Sequence, residues 1–543
     1  MKKLLPLAPG CDLAFPISPA HRARSLPRRR IAATLATALI ALTGCGGGGG
    51  GSATSGGGSS SPFVLAATTY LGGSDIDSVR DVFVDSQGYV YVVGGTASID
   101  FPATTGAYDT TFNGNNDVYV AKFMPGGDAL VFATYLGGPN YDRAYAIEVD
   151  AQGFVYVAGR AGAGFPTTPG VVQPNFGGDV SPSSRYGTQD GFVAKLDPDG
   201  STLLWSTYFG NDDSSICRDL ALDSTGNCYV VGAPDRPHWA VTGGAFDTTL
   251  GGSGDGLVAA IAADGATLLW GSYFGGSGSD GGTPSVRVAP DDTVWVLGTS
   301  QSDDFPVTGG AYQAQRAGAL DMVLLHIAAD GSALIGSTYF GGSGVEYSET
   351  HGLWIEPGGS AVVAATSGST DLPFVPASIP PPFQPTYGGS GGSGSGAGTD
   401  YPYDGFIARF NADATALLAF TYLGGTSGEG LEGVAVDAAG RVCCAGATYS
   451  ADFPATGDAF QRRRDGGADQ LFAVLSNDLT TLEYATYCGG RDDDLGRAFA
   501  LASDGSLVSA GSADSTDYPT TPGVFQRNFG GLPQDACWFK VMR

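Results

Sequence analysis

Residues 63–73 read Phe63-Val64-Leu65-Ala66-Ala67-Thr68-Thr69-Tyr70-Leu71-Gly72-Gly73, a run of apolar and β-branched side chains closed by a glycine turn. Its last five residues set a signature that recurs six more times, beginning at Thr134, Thr207, Ser272, Thr338, Thr421 and Thr486. The intervals are 65, 73, 65, 66, 83 and 65 residues, so one structural unit repeats with loop-sized insertions. Such a unit cannot bury its apolar face alone and must stack on its neighbours.

Each unit carries four short apolar runs, which in the first unit span residues 79–85, 89–93, 117–123 and 130–135. They are rich in Val, Tyr and Phe and are bounded by turn residues such as Asp85-Ser86-Gln87-Gly88 and Pro125-Gly126-Gly127, which predicts strands. Helix-length periodic segments are absent. The second run is almost wholly apolar, although an antiparallel sheet with one wet face should alternate. Both faces of each sheet are therefore expected to be covered, as in a propeller, rather than one face, as in a sandwich.

A long solenoid is the competing repeat geometry, and strand counting separates the two. Residues 63–70 are a fourth-type strand, whereas the chain ends within a third-type strand, Cys537-Trp538-Phe539-Lys540-Val541-Met542. The seventh unit thus lacks the strand that the N-terminal segment supplies. The predicted fold is all-β: a seven-bladed β-propeller of four-stranded antiparallel blades over residues 63–543, closed by the N-terminal strand pairing in the last blade.

The Tyr-Leu-Gly-Gly turn, the Val-Asp-x-x-Gly-x-Val-Tyr-Val hairpin from Val84 to Val92, the Asp100-Phe101-Pro102 segment and the Asp-x-Phe-Val-Ala-Lys strand from Asp190 to Lys195 together resemble the bacterial SBBP repeat, a seven-bladed β-propeller family. The resemblance covers roughly residues 63 to 543, as judged by the repeat period. It departs at Pro237-His238-Trp239 and at Asp371-Leu372-Pro373, where Phe-Pro is expected. The resemblance implies the fold and no single activity.

Residues 1–45 read as a lipoprotein signal peptide. Arg22, Arg24 and Arg28-Arg29-Arg30 precede an apolar run from Ile31 to Leu42, which is too short to span a bilayer. The sequence Leu42-Thr43-Gly44-Cys45 resembles a lipobox and implies lipidation of Cys45. Residues 46–62 are almost entirely Gly and Ser, the composition of a flexible tether. The expectation is an exported protein, lipid-anchored in the cell envelope with the outer membrane favoured, touching the membrane through the lipid on Cys45.

The chain has a net charge of −27, and residues 1–45 hold seven basic side chains and one acidic one, so the remainder carries −33. Nucleic acid is excluded as a partner, because binding it needs a basic footprint and the one basic run here, Arg462-Arg463-Arg464, is flanked by Asp465. A monomer is expected. Six cysteines follow Cys45, at positions where other units place Val, Tyr, Leu or Phe, so they read as small buried hydrophobes and not as a disulfide framework.

Acidic residues follow the Gly-Gly turns: Asp75, Asp77, Asp142, Asp212, Asp213, Asp280, Glu346, Glu429, Asp492, Asp493 and Asp494. Carboxylates converging on a channel mouth could supply calcium ligands, although no spaced Asp-x-Asp-x-Asp-Gly loop occurs; otherwise no cofactor is expected. The long connections between second and third strands, enlarged in the second and fifth units, are the candidate ligand-contacting loops. The Phe-Pro pairs read as loop anchors.

No catalytic residue can be named. His238, His326 and His351 fall in different units without a zinc motif, and Gly388-Gly389-Ser390-Gly391-Gly392 sits in a low-complexity loop and not in a nucleophile elbow. The favoured function is a non-catalytic propeller scaffold that binds an envelope protein or a glycan. The alternative is an exported polysaccharide hydrolase or lyase working through carboxylates at the channel mouth. Unique acids or histidines breaking the repeat near the axis would favour the alternative.

Overall fold

The computed structural model describes residues 63–178, 186–210, 215–232, 241–374, 378–389 and 403–543. The signal, Cys45 and tether expectations lie outside the described residues. So do the Pro237-His238-Trp239 departure and the Ser390–Gly392 part of the glycine-serine run.

Numbered along the chain, 28 strands form seven four-stranded antiparallel sheets. The first blade runs β2 (Asp77–Val84), β3 (Val90–Thr96), β4 (Asp117–Phe123) and β5 (Leu130–Leu136), inner strand to outer. The last is ordered β1 (Val64–Leu71), β28 (Asp535–Met542), β27 (Leu507–Ala513) and β26 (Asp494–Leu501), so segments from opposite ends of the chain share one sheet. Strand β1 pairs with β28 from Val64 opposite Met542 to Leu71 opposite Ala536. Phe63 extends the seam by packing 4.6 Å from the Tyr484 ring and 5.6 Å from the Arg543 guanidinium. The ring closes as the strand count requires.

The continuous apolar character of the second strands follows from this stacking. All seven residues of β3 are buried, with Val90 and Val92 packed toward the last blade's Val508 and Trp538 and Tyr91 and Val93 toward the second blade's Ile147 and Val157. Alternate side chains thus serve different interfaces, both dry, and each fully buried Val contributes about 1.5–3 kcal/mol.

Turn glycines complete the blade contacts. Gly265, at φ +71°, puts its backbone where a Cβ would lie 2.5 Å from the Trp205 ring of the preceding blade, and Gly331 does the same over Trp270 at 2.4 Å. Both indoles donate Nε1–H to a carbonyl of that turn, Ala263 and Ala329, at 3.0 Å.

The signature tyrosine and the Phe-Pro segment are two halves of one clasp. The Tyr339 hydroxyl donates to Ser302 O at 2.6 Å and accepts from Phe305 N–H at 3.1 Å. Tyr208 does the same with Gly162 O and Phe165 N–H, both at 2.9 Å. Phe101, Phe165, Phe305 and Phe453 are buried beside it. Leu372 N–H donates to Tyr422 Oη in the fifth blade, which keeps the clasp where Phe is missing. All six described cysteines are free and buried in the blade cores.

Candidate functional site

The second-to-third connections leave on one face together with the Gly-Gly joints between blades. They span residues 97–116 in the first blade, 162–189 in the second and 368–403 in the fifth. Among the described residues the loops on the opposite face are short turns.

The acids after the Gly-Gly turns lie mostly inside this scaffold. Asp77 accepts Gly73 N–H at 2.7 Å and Ser98 Oγ–H at 2.8 Å. Asp142 accepts Gly138 and Gly162 N–H; Asp280 accepts Gly276 N–H and Ser302 Oγ–H. Glu346, Glu429 and Asp494 hold Gly342, Gly425 and Gly490 in the same way, each with a hydroxyl from its own blade. Each acid fixes the turn four residues before it, and each is buried in a different blade, so these six are not brought together. Burial pushes Asp77 and Asp142 up to about 6 and Glu429 and Asp494 up to about 8. Asp75 and Asp492 are exposed and Asp493 is partly so; Asp212 and Asp213 lie outside the described residues. Among the described residues no group of His, Cys, Asp or Glu is arranged to hold a metal ion.

The hub is built differently. Each inner strand carries a bulge, where the ladder skips a residue: Arg80 in β2, Tyr145 in β6 (Arg143–Val149), Arg218 in β10 (Cys217–Leu222), Glu432 in β22 (Glu429–Val436) and Arg497 in β26. Wider interruptions occupy β14 (Asp280–Val288) and β18 (Glu346–Ile355), the latter containing His351 at φ +79°. A bulge re-aims a side chain. Unlike the rest of the repeat, this position differs in chemistry from blade to blade.

Arginines from the first three blades gather around one phenol. The Arg80, Arg143, Arg160 and Arg218 guanidiniums lie 5.9, 4.8, 5.6 and 4.9 Å from the Tyr145 ring centre. Arg143 and Arg160 face each other across the ladder, and Arg160 also sits 3.9 Å from the Tyr186 ring. Tyr141 stands 4.7 Å from Tyr186. Arg143 lies at the start of β6, so the cluster is on the long-loop side. Across the hub Arg497 pairs with Glu432 at 3.3 Å.

Below this cluster His351 reaches across from the fifth blade. Its Nε2 lies 3.5 Å from Asp81 Oδ1 and 3.4 Å from Arg80 O, and its Nδ1 lies 3.6 Å from Asp219 Oδ1. Those two carboxylates also cross-link blades: Asp81 accepts Ile147 N–H, and Asp219 accepts Val286 N–H and the Arg287 guanidinium at 2.8 Å. They occupy a ladder position filled by Ala146, Gly433 and Ala498 in three other blades. Burial pushes Asp81 well above the usual carboxylate range and holds His351 down to about 4. The carboxylates sit on opposite ring nitrogens, so the three groups do not converge on a point where a metal could sit.

These hub residues do not stand out in the sequence. His351 stands isolated along the chain, and the varying position is hidden because β14 and β18, at nine and ten residues, put it out of step with the other blades. Aligning the units backward from the turn after the inner strand would have exposed it. His326 packs as a core residue, stacked 4.1 Å from Trp295. Arg462 and Arg463 are exposed on a loop.

Residues 131–166, from the outer strand of the first blade to the Phe-Pro loop of the second, match the family model described as SBBP, beta-propeller repeat. That stretch carries one SBBP beta-propeller repeat. The chain is 26% identical over 313 residues to the regulatory protein FlaEY of Caulobacter vibrioides, which covers 54% of this chain. The match takes in only 31% of that relative's length. Among solved structures it is similar to a polysaccharide lyase, PL25-Ulvanlyase, with TM-score 0.44 and 11% identity over 82% of this chain and 92% of the other. A europium-containing methanol dehydrogenase gives TM-score 0.38 and 11% identity over 89% and 93%. Chemistry does not transfer at this distance.

Proposed function

We propose that this SBBP-repeat propeller is an exported envelope protein, lipid-anchored through Cys45, that binds an acidic glycan at the long-loop mouth of its hub. One observation carries the binding reading: four guanidiniums from three blades surround Tyr145 in a chain whose net charge is −27. Placing like charges opposite each other, as Arg143 and Arg160 are, is unfavourable in itself. Their forked donors match a carboxylate or sulfate, and strands that bring two guanidiniums opposite each other offer an acidic group both at once. Tyrosines beside them offer flat apolar faces for a sugar ring.

The test is calorimetry of the full chain with uronate and sulfated oligosaccharides beside neutral ones of equal length. The expected result is saturable binding of the acidic ligands alone, weakened by salt and by Arg160→Gln. Equal binding of neutral oligosaccharides sinks the reading. Metabolic labelling with a fatty acid tests the anchor, since a Cys45→Ala protein should take up no label.

A second reading, an exported polysaccharide hydrolase or lyase, is favoured by His351, a unique histidine between Asp81 and Asp219. It predicts release of new sugar ends from the polymers that bind, with loss of turnover in His351→Gln.

A further inference from the structure

A cavity of about 130 Å³ lies on the short-turn side of His351, away from the arginine cluster. One ladder position of the inner strands explains why space is left there. It holds Phe83, Glu148, Ala221, Arg287, Trp354, Ala435 and Ala500 in the seven blades, so three alanines stand where bulkier groups stand elsewhere. The cavity wall is divided. Asp81, Glu148, Asp219, Arg287 and His351 form one side, and Trp354, Phe499 and Leu501 belong to the other.

The charges on the polar side do not balance. Arg287 is engaged by Asp219 at 2.8 Å, and Asp81 is served by backbone N–H groups. Glu148 lines the cavity partly exposed, makes no hydrogen bond among the described residues, and feels the Arg287 charge only through space. With His351 neutral, Asp219 and Glu148 share the one Arg287 cation, and Asp219 holds it at 2.8 Å. A carboxylate in a confined space whose nearest counter-charge is already engaged attracts a second cation. Aromatic rings opposite it favour a cation in turn.

We propose that this hub cavity is a binding site for a small organic ammonium ion, an alkylamine or methylated amine, with its charge on Glu148 and its carbon groups against Trp354 and Phe499. The size suits it, since an enclosed space of about 150 Å³ in a protein holds a benzene molecule. Burial and the Asp219 charge push Glu148 up to about 7, a direction that a cation beside it would reverse. The site is independent of glycan binding, as it lies on the other side of His351.

Calorimetric titration of the full chain with tetramethylammonium and propylammonium chloride tests it, with tert-butanol as the neutral isostere. One ammonium should bind per chain, and Glu148→Gln should weaken it about tenfold or more, the effect of one lost charge contact. Ala435→Leu, which fills the space with an apolar group, should abolish binding while far-ultraviolet circular dichroism shows an intact propeller. No saturable heat up to about 50 mM ammonium, or equal binding of tert-butanol, overturns the site. So does binding that survives both substitutions. Should either variant fail to fold, the comparison of ammonium with alcohol on the unaltered chain decides alone.

Discussion

The phenol of Tyr339 carries two backbone hydrogen bonds at once. Tyr339→Phe keeps the packing but strands the Ser302 carbonyl and the Phe305 N–H in a buried place. A cost of about 1–3 kcal/mol is expected in denaturant unfolding, and an unchanged midpoint would show the clasp to be ornamental. The clamp carboxyls make a different prediction. Burial raises Asp77 and Asp142 to about 6, Glu346 to about 7, and Glu429 and Asp494 to about 8. A carboxyl raised in the folded state binds its proton more tightly there, so its stabilisation is complete at acid pH and disappears as the pH climbs through the folded value. His351, held down to about 4, acts in the opposite sense and subtracts stability only as the pH falls through about 6.5 toward that value. The thermal midpoint is therefore expected to fall between pH of about 6 and about 8.5. A calorimetric midpoint that rises over that interval contradicts the assignment.

At the scale of elements, the contacts between blades rest on the turn glycines. Gly265 and Gly505 both have positive φ, at +71° and +79°, but only Gly265 has a ring against it, while Gly505 looks into open space. Gly505→Ala should cost about 1 kcal/mol for the backbone alone, and Gly265→Ala about 1–3 kcal/mol more, read as a larger loss of midpoint in parallel melts. Equal losses would mean that the blades do not depend on this approach. The strands themselves were legible in the sequence, because Val, Tyr and Phe runs between Asp-x-x-Gly turns have few other ways to be satisfied. Their unbroken apolar character even pointed to two dry faces, which β3 realises through Val92 on one side and Tyr91 on the other. The acids behind the Gly-Gly turns were visible as a pattern, but not their job. An i+4 carboxylate that clamps a turn and one that faces a channel look alike until the backbone is placed. The hub was hidden for another reason: a bulge is a property of pairing between strands, and no single strand's residues announce it.

For the whole molecule, closure is the decisive contact. Strand β1 covers the outer edge of β28 and buries Ala67, Tyr70 and Leu71. Compared with a protein lacking residues 1–62, one lacking residues 1–71 uncovers a long strand edge and should unfold at lower temperature and aggregate. Matching melts for the two truncations would refute this dependence. The ring also separates two chemistries along its axis, with arginines and tyrosines toward the long loops and carboxylates with Trp354 toward the short turns. Closure has one more consequence. Because Val64 lies opposite Met542, residues 63 and 543 sit near each other, on the order of one strand spacing of 5 Å. A few glycines could join them, and the chain could be reopened at the joint before Gly138. Such a circular permutant would fold each sheet from one continuous stretch, and its new ends would emerge among the long loops, so that the disc could be hung from its other side.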